Sequence, residues 1–443
     1  MSKESIDKNP LRGMRDFVPQ DWIFRKKLMR VWENAAEKSG FVRYETPIVE
    51  PLSLLERKSG EEISEQIYNF EDKSGRKIAL RPEITPSMVR IVSSRPDAFP
   101  TQGKVYSIGQ CFRYERASLG RKREHFQWNI DIVGEKSVVA EAYLIKTAVD
   151  AMEGLGFGAD DYKVRVNSRQ LVSDYLEKID IVGELAKGVM GVMDKKDKIS
   201  SEAFAEMLAE IGISGEQTAK INNFMAAKSL EDLRQLGLED STGLKALEEF
   251  AAYCKALGIE NNVVIDPAIV RGLAYYTGIV FEAFDTQGKY RAIFGGGRYD
   301  NLFEKLTGRP NFAVGLGFGD VVVEELHREK YPDEITVPEV DILLGGYSEE
   351  VCKELLEAFS RLRACRFSAD FDFKPANLGK FLTRANKRNA KVAAYIGEIE
   401  SKQGQMLLKN LCSGEQQMVV LNDDSARAAI EQMLAVKTDG NCI

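Results

Sequence analysis

Between residues 104 and 134 the chain reads KVYSIGQCFRYERASLGRKREHFQWNIDIVG, with Arg113, Arg116, Arg121, Lys122 and Arg123 at its centre. Arginine offers a planar fork of donors that matches phosphate or carboxylate oxygens, so this cluster could grip an oxyanion. A solvated basic hairpin would carry the same cations. Glu115, Gln127 and Asp131 stand among them, and a mere basic patch has no use for these. Gln127 and Asp131 are four apart and would share one face of a strand. Upstream, Glu83 stands at a strand-to-helix corner, where a carboxylate can hold an ammonium group. Beside it, Thr85 reads as a helix N-cap with Pro86 at the first helical position. Arg271 next to Tyr275 and Tyr276 is open to two readings, packing against aromatic faces or a pocket wall with hydroxyl handles. Gly295–Gly297, just before Arg298, lets backbone or ligand approach closely.

Rigid elements must hold such groups in place. Two apolar runs, 105–112 and 126–133, alternate with period two and flank Gly120, which predicts an antiparallel hairpin with a long cationic loop. Apolar spacing over 22–39 predicts a helix stopped by Gly40. The stretch FVRYETPIVEP reads as a strand bent at Pro47. Residues 78–81 read as a strand, 137–155 as a helix and 161–167 as a strand. From 263 to 284 and from 291 to 306 the chain is apolar strand material. Residues 313–327 are a glycine-relieved strand running into a helix.

With 443 residues, the chain is too long for one core. Residues 1–168 and 259–330 are expected to form one domain, interrupted by a helical insertion over 169–258. Within the insertion, helices are expected at 171–178, 203–211, 214–225, 230–236 and 242–257. A linker at 331–338 precedes an α/β unit of residues 339–443. There a helix over 377–391 is read with Lys380, Arg384, Lys387, Arg388 and Lys391 on one face. No acid lies between residues 374 and 391, so the face is a candidate footprint for a phosphate backbone.

A net charge of −7 argues against nonspecific coating of nucleic acid. No apolar run is long enough to cross a bilayer, and the N-terminus shows no signal-peptide core. Six scattered cysteines, no CxxC pair and only two histidines make a zinc site improbable. A reducing cytoplasm fits this pattern best.

Taken together, these stretches resemble the histidyl-tRNA synthetases, a family of class II aminoacyl-tRNA synthetases, over nearly the whole length. FRYER, the basic loop and FQWNIDIVG are similar to class II motif 2, and the stretch around Pro47 resembles the dimer-forming motif 1. RPEIT and RGLAYYTGIVFE resemble the two signatures specific to the histidine enzymes. GGGRYDNL and the C-terminal unit match the late core strands and the anticodon-binding domain. The resemblance implies an α+β fold with an antiparallel six- or seven-stranded catalytic sheet, the helical insertion and a C-terminal α/β anticodon-binding domain. It implies a homodimer using ATP and Mg2+ to attach L-histidine to tRNA(His) through a histidyl-adenylate.

Carried over by residue, the resemblance puts Arg113 and Arg271 on the ATP α-phosphate, shared with the histidine carboxylate. Glu115 would accept from the adenine amino group, and Arg121 and Arg123 would reach the outer phosphates. Glu83, Thr85 and Gln127 would meet the histidine ammonium, while Asp131, Tyr275 and Tyr276 would surround the imidazole. The chain departs from the family's pattern in two places. Motif 3 usually ends in an arginine on the γ-phosphate, but GFGDVVVEEL has Asp320, Val321 and Val322 there. Arg298, Arg123 or a metal on Asp320 could serve instead. A ring that stacks on adenine usually stands two residues before Gln127, where this chain has His125 followed by Phe126, and either could stack. The competing reading is a noncatalytic histidine-sensing paralogue, the regulatory subunit of the ATP phosphoribosyltransferase that opens histidine biosynthesis. Such subunits typically lack the C-terminal domain and degrade RGLAYYTG. A tRNA-sensing module would need an effector domain in addition.

Overall fold

A computed structural model describes residues 8–56, 65–100, 103–116, 118–196, 199–270, 276–332, 340–364, 367–420 and 425–435. The described chain forms two units, residues 1–16 with 25–333, and residues 17–24 with 334–443.

In the first unit Pro47 separates β1 (Val42–Arg43) from β2 (Val49–Pro51), and the two join different sheets. β2 pairs with β4 (Lys77–Leu80), which also pairs with β3 (Asn69–Glu71), in a small antiparallel sheet. The expected hairpin is β5 (Gly103–Phe112) and β6 (Glu124–Val133), in register from Gly103–Val133 to Phe112–Glu124. β7 (Tyr162–Ser168), β8 (Val263–Ile265), β9 (Ile279–Asp285), β10 (Phe294–Arg298) and β11 (Ala313–Gly319) complete the large sheet. Its order is β1-β5-β6-β11-β10-β9-β7-β8. The six inner strands are antiparallel throughout, and β1 and β8 pair parallel at the two edges. The expected antiparallel core is therefore present, with a parallel strand added at each side.

Alternation on β6 divides the two faces of this sheet. Trp128 points into the core, stacked on Trp32 of the helix Pro19–Lys38 with ring centroids 6.0 Å apart. Phe318 tilts against Trp32 at 5.3 Å. Both tryptophans are fully buried, and such large aromatic burial is a main source of stability for a sheet face. The odd-numbered residues of β6 face the opposite way.

Between β7 and β8 the chain is helical, as expected. Five of the six described helices there start at a serine, Ser168, Ser200, Ser214, Ser229 or Ser241, whose hydroxyl accepts an amide of the first turn. The sixth, Gly183–Met193, escapes the sequence reading because Gly183, Gly188 and Gly191 lower its intrinsic propensity. Residues 300–306, the end of the 291–306 stretch read as strand material, lie in the helix Asp300–Thr307, ended by Gly308 at φ +74°.

The second unit holds a five-stranded sheet of β12 (Val340–Gly346), β13 (Ala369–Phe371), β14 (Ala390–Ile396), β15 (Gln405–Asn410) and β16 (Gln416–Val420). The order is β13-β12-β14-β15-β16, with β12 parallel to both neighbours and β14 to β16 antiparallel. The basic stretch is not one helix. Leu378–Lys387 is helical, Asn389 takes φ +50°, and Lys391 lies on β14. Arg384 is 2.9 Å from Asp372, Arg388 is 2.6 Å from Asp370 and Lys391 is 3.2 Å from Asp341. The acids come from β12, β13 and the loop after β13, so they are invisible to a scan of residues 374–391 alone.

Candidate active site

A cleft of about 730 Å³ opens on the polar face of the large sheet. Glu83, Thr85, Arg113, Glu115, Arg121, His125, Gln127, Tyr276 and Tyr299 are among its lining residues. Glycines make the room. Gly315 faces Asp131 across β11 and β6, and a Cβ there would stand 2.0 Å from the Asp131 Oδ1. A Cβ on Gly317 would stand 2.3 Å from the Gln127 Nε2. Any side chain at either position collides with the polar groups of β6.

Those groups form a ladder. Gln127 Nε2 donates to Asn129 Oδ1 at 2.9 Å, and Asn129 Nδ2 donates to Thr85 Oγ1 at 3.3 Å. With its amide nitrogen so used, Gln127 Oε1 is left to accept from His125 Nε2 at 3.3 Å. Burial, with the charges of Arg113 and Arg15, pushes the His125 imidazole down to about 3, so this ring is neutral at pH 7. At the far end of the ladder the Tyr299 hydroxyl donates to the fully buried Asp131 at 2.5 Å. The Tyr44 hydroxyl is buried nearby; burial and then the Asp131 charge hold it well above the ordinary phenol range.

Thr85 is not the N-cap. Ile84 holds that place without a side-chain bond, and Thr85 begins the helix Thr85–Ser94 with its hydroxyl turned to Asn129. Arg81 of the RPEIT run is structural. It donates to the carbonyls of Gln110 and Thr46 at 2.9 and 3.0 Å and so ties β4 to β5. That clamp leaves Glu83, 5% exposed, at the cleft.

The arginines separate by role. Arg113 donates from Nε to the Pro82 carbonyl at 2.9 Å, which fixes the plane of its guanidinium along the cleft. Arg121 pairs with Glu115 and also lines the cleft. Arg123, expected at the outer phosphates, is not among the lining residues. Its Nε donates to the Glu115 carbonyl at 3.0 Å, and its guanidinium lies 4.0 Å over the Tyr114 ring. Arg298, expected there too, is spent elsewhere. It makes two 2.7 Å bonds to the buried Glu141 carboxylate and donates to the Glu135 and Ser137 carbonyls. A guanidinium with its donors so engaged has none for phosphate.

Asp320 is equally committed, which removes it as a metal ligand. Its Oδ2 accepts from Arg25 at 2.7 Å and Arg15 at 2.9 Å, and its Oδ1 from the Phe126 amide at 3.0 Å. The Arg25 guanidinium also covers the Phe126 ring at 4.2 Å. Phe126 therefore faces away from the cleft and His125 faces into it. Asp320→Asn keeps the shape but leaves the buried Arg25 and the part-buried Arg15 facing a neutral amide. We expect it to lower the unfolding free energy by about 3 kcal/mol, read from the urea midpoint at unchanged slope.

Arg271 and Tyr275 lie outside the described residues, and Tyr276 lines the cleft. Asn129 and Tyr299 are site residues that the sequence reading missed. Asn129 is two residues from both Gln127 and Asp131, so the same period-two argument points to it. Tyr299 directly follows the glycine run and Arg298.

A protein-family profile described as histidyl-tRNA synthetase matches residues 13–319, and one described as an anticodon binding domain matches residues 340–427. The chain is 36% identical over 420 residues to the chloroplastic/mitochondrial histidine–tRNA ligase of Arabidopsis thaliana, covering 95% of this chain and 86% of that one. It is 35% identical over 425 residues to the histidine–tRNA ligase of Thermoplasma volcanium, covering 93% and 96%. Among solved structures, the histidyl-tRNA synthetase from Nostoc sp. PCC 7120 superposes with a TM-score of 0.80 at 24% identity, covering 97% of this chain and 100% of that one. An ATP phosphoribosyltransferase regulatory subunit/histidyl-tRNA synthetase from Bacillus halodurans superposes with a TM-score of 0.73 at 20% identity, covering 89% and 99%. At these identities the two superpositions speak for the fold alone.

Proposed function

Because the chain belongs to the histidyl-tRNA synthetase family, we propose that the cleft over β6 and β11 is where its histidine is activated. The activity is ATP-dependent attachment of L-histidine to tRNA(His) through a histidyl-adenylate. One observation supports the placement above the others: a single strand lines the cleft with His125, Gln127 and Asn129 in sequence, and the next residue of that alternation, Asp131, is buried behind Tyr299 and Gly315, which also line it.

Histidine lies at the Asp131 end. Its imidazole donates to Asp131, held in place by Tyr299, with Tyr276 as a wall. Its ammonium meets Glu83, with Thr85 and Gln127 beside it. The nucleotide lies at the other end, its base against the neutral His125 ring and its amino group toward Glu115. The valines at 321 and 322 also line the cleft, so an aliphatic surface stands where the family's usual pattern has an arginine. Arg113 sits between the two ends, with Arg271 proposed beside it. The histidine carboxylate attacks the α-phosphorus, the bond to the β-phosphate oxygen breaks, and pyrophosphate leaves. A ribose hydroxyl of the tRNA 3′ end then attacks the acyl carbon, and AMP leaves. Fixed donors suit both steps, because charge builds on oxygens that arginine can face throughout.

Mg2+ belongs to the same proposal, carried on the phosphates of the nucleotide. No group of three or more His, Cys, Asp or Glu among the described residues could hold a metal ion, and Mg2+ is commonly bound through substrate phosphates. A homodimer is proposed as well, supported by the exposed apolar residues Val42, Ile48, Val49 and Phe70 in and around β1 to β3. No helix among the described residues is long and apolar enough to cross a membrane. A cytoplasmic location rests on the cysteine pattern. Cys111, Cys254 and Cys352 are free thiols, whereas Cys412 is disulfide-bonded, which a reducing compartment disfavours.

ATP–pyrophosphate exchange tests the reading. Exchange supported by histidine and not by phenylalanine or glutamine is the expected result. Histidine binding without exchange would favour the noncatalytic sensor.

A further inference from the structure

The loop after β13 holds an aromatic ring in solvent on a fixed backbone. Asp372 donates its amide to the Leu344 carbonyl at 2.8 Å, and Ala376 donates to the Gly346 carbonyl at 3.0 Å. The Tyr395 hydroxyl donates to the Ala376 carbonyl at 2.8 Å. Arg384, read from the sequence as a phosphate contact, instead reaches back to this loop. It is 2.9 Å from Asp372 and donates to the Lys374 carbonyl at 2.7 Å. Between these anchors Phe373 is 82% exposed, with the Phe371 ring edge-on to it at 5.2 Å.

The position in the sheet matters too. β12 is parallel to β13 on one side and to β14 on the other, and the chain visits them in the order β12, β13, β14. The carboxyl end of β12 is therefore a switch point, where open α/β sheets bind their ligands. The Phe373 loop borders that end. Lys374 and Lys380 are exposed beside it and, unlike Arg384, Arg388 and Lys391, neither is in an ion pair among the described residues.

We propose that Phe373 is a stacking platform for one base of a single-stranded RNA loop, with Lys374 and Lys380 contacting the flanking phosphates. The proposal rests on the tRNA reading above and names the part of the C-terminal unit that touches the RNA. An exposed ring on a rigid loop loses little freedom on stacking, and cations beside it track the backbone. Arg384 is a positioning residue here and touches no RNA.

The test is binding of a labelled tRNA(His) transcript to the full-length chain. Phe373→Ala is expected to weaken binding about tenfold, Phe373→Trp to restore it, and Phe373→Leu to behave as the alanine variant. Replacing the two lysines together is expected to reduce the slope of log K against log salt by about 1.4, at about 0.7 per single-strand phosphate. Histidine-dependent pyrophosphate exchange, which involves no tRNA, reports that the first unit is intact, and an unchanged thermal unfolding transition reports that the second unit is folded in each variant. Wild-type affinity in Phe373→Ala, or equal rescue by leucine and tryptophan, would overturn the stacking platform and leave the synthetase reading intact. Exchange without any binding of tRNA by the wild-type chain would overturn the platform and the tRNA reading together.

Discussion

Alanine at Arg113 is expected to slow histidine-dependent ATP–pyrophosphate exchange by about 10²- to 10³-fold, the usual cost of losing one preorganised donor at a developing charge. The geometry explains why this arginine matters more than its neighbours. Its Nε is tied to the Pro82 carbonyl at 2.9 Å, so the guanidinium plane is set before substrate arrives. Lysine at the same position keeps the charge but loses both the fork and the Pro82 tether, and should recover only part of the rate. Equilibrium binding of histidine should persist in both variants, which separates loss of chemistry from loss of the pocket. Exchange at the wild-type rate in Arg113→Ala would remove Arg113 from the reaction centre.

Asparagine at Asp131 is expected to lower kcat/KM for histidine by about 10³-fold while changing the KM for ATP by no more than about twofold. A site built to hydrogen-bond a polar group discriminates strongly, because an imperfect partner leaves buried groups unpaired. Asp131 is fully buried on β6, with Gly315 giving it space and Tyr299 holding one oxygen. Tyr299→Phe should show a smaller loss in the same direction, about tenfold, because the carboxylate remains while its orientation loosens. Steady-state exchange with histidine and ATP varied separately measures both. A parallel rise in the two KM values would show that Asp131 supports the cleft in general and does not read the imidazole.

Local patterns were legible in the sequence, and long-range partners were not. The β5–β6 hairpin could be read because alternation and a glycine-bearing loop are properties of adjacent residues. The same alternation places Gln127 and Asp131 together and should have added Asn129. It also decides between His125 and Phe126, since only the odd-numbered residues face the cleft. Arg298 could not be read. Its partner Glu141 lies 157 residues away, and nothing near GGGRYD announces that the guanidinium is already engaged. The acids opposing the basic stretch could not be read for the same reason, since Asp341, Asp370 and Asp372 come from other elements. Thr85 was misjudged by one residue, because Ile84 before it takes the cap position. Asp320 shows the limit most clearly. The sequence marks it as a departure from the family's usual motif 3, but only the fold reveals Arg15 and Arg25 converging on it.

Isolation of the enzyme-bound intermediate tests whether the cleft activates histidine. The purified chain would be incubated with labelled histidine, ATP, Mg2+ and pyrophosphatase, passed through a gel-filtration column, and mixed with tRNA(His) transcript. Labelled histidyl-adenylate that elutes with the protein and passes to the tRNA in a single turnover is the expected result, while the Arg113→Ala chain carries none. Labelled histidine bound to the wild-type chain, with no adenylate formed, would contradict it.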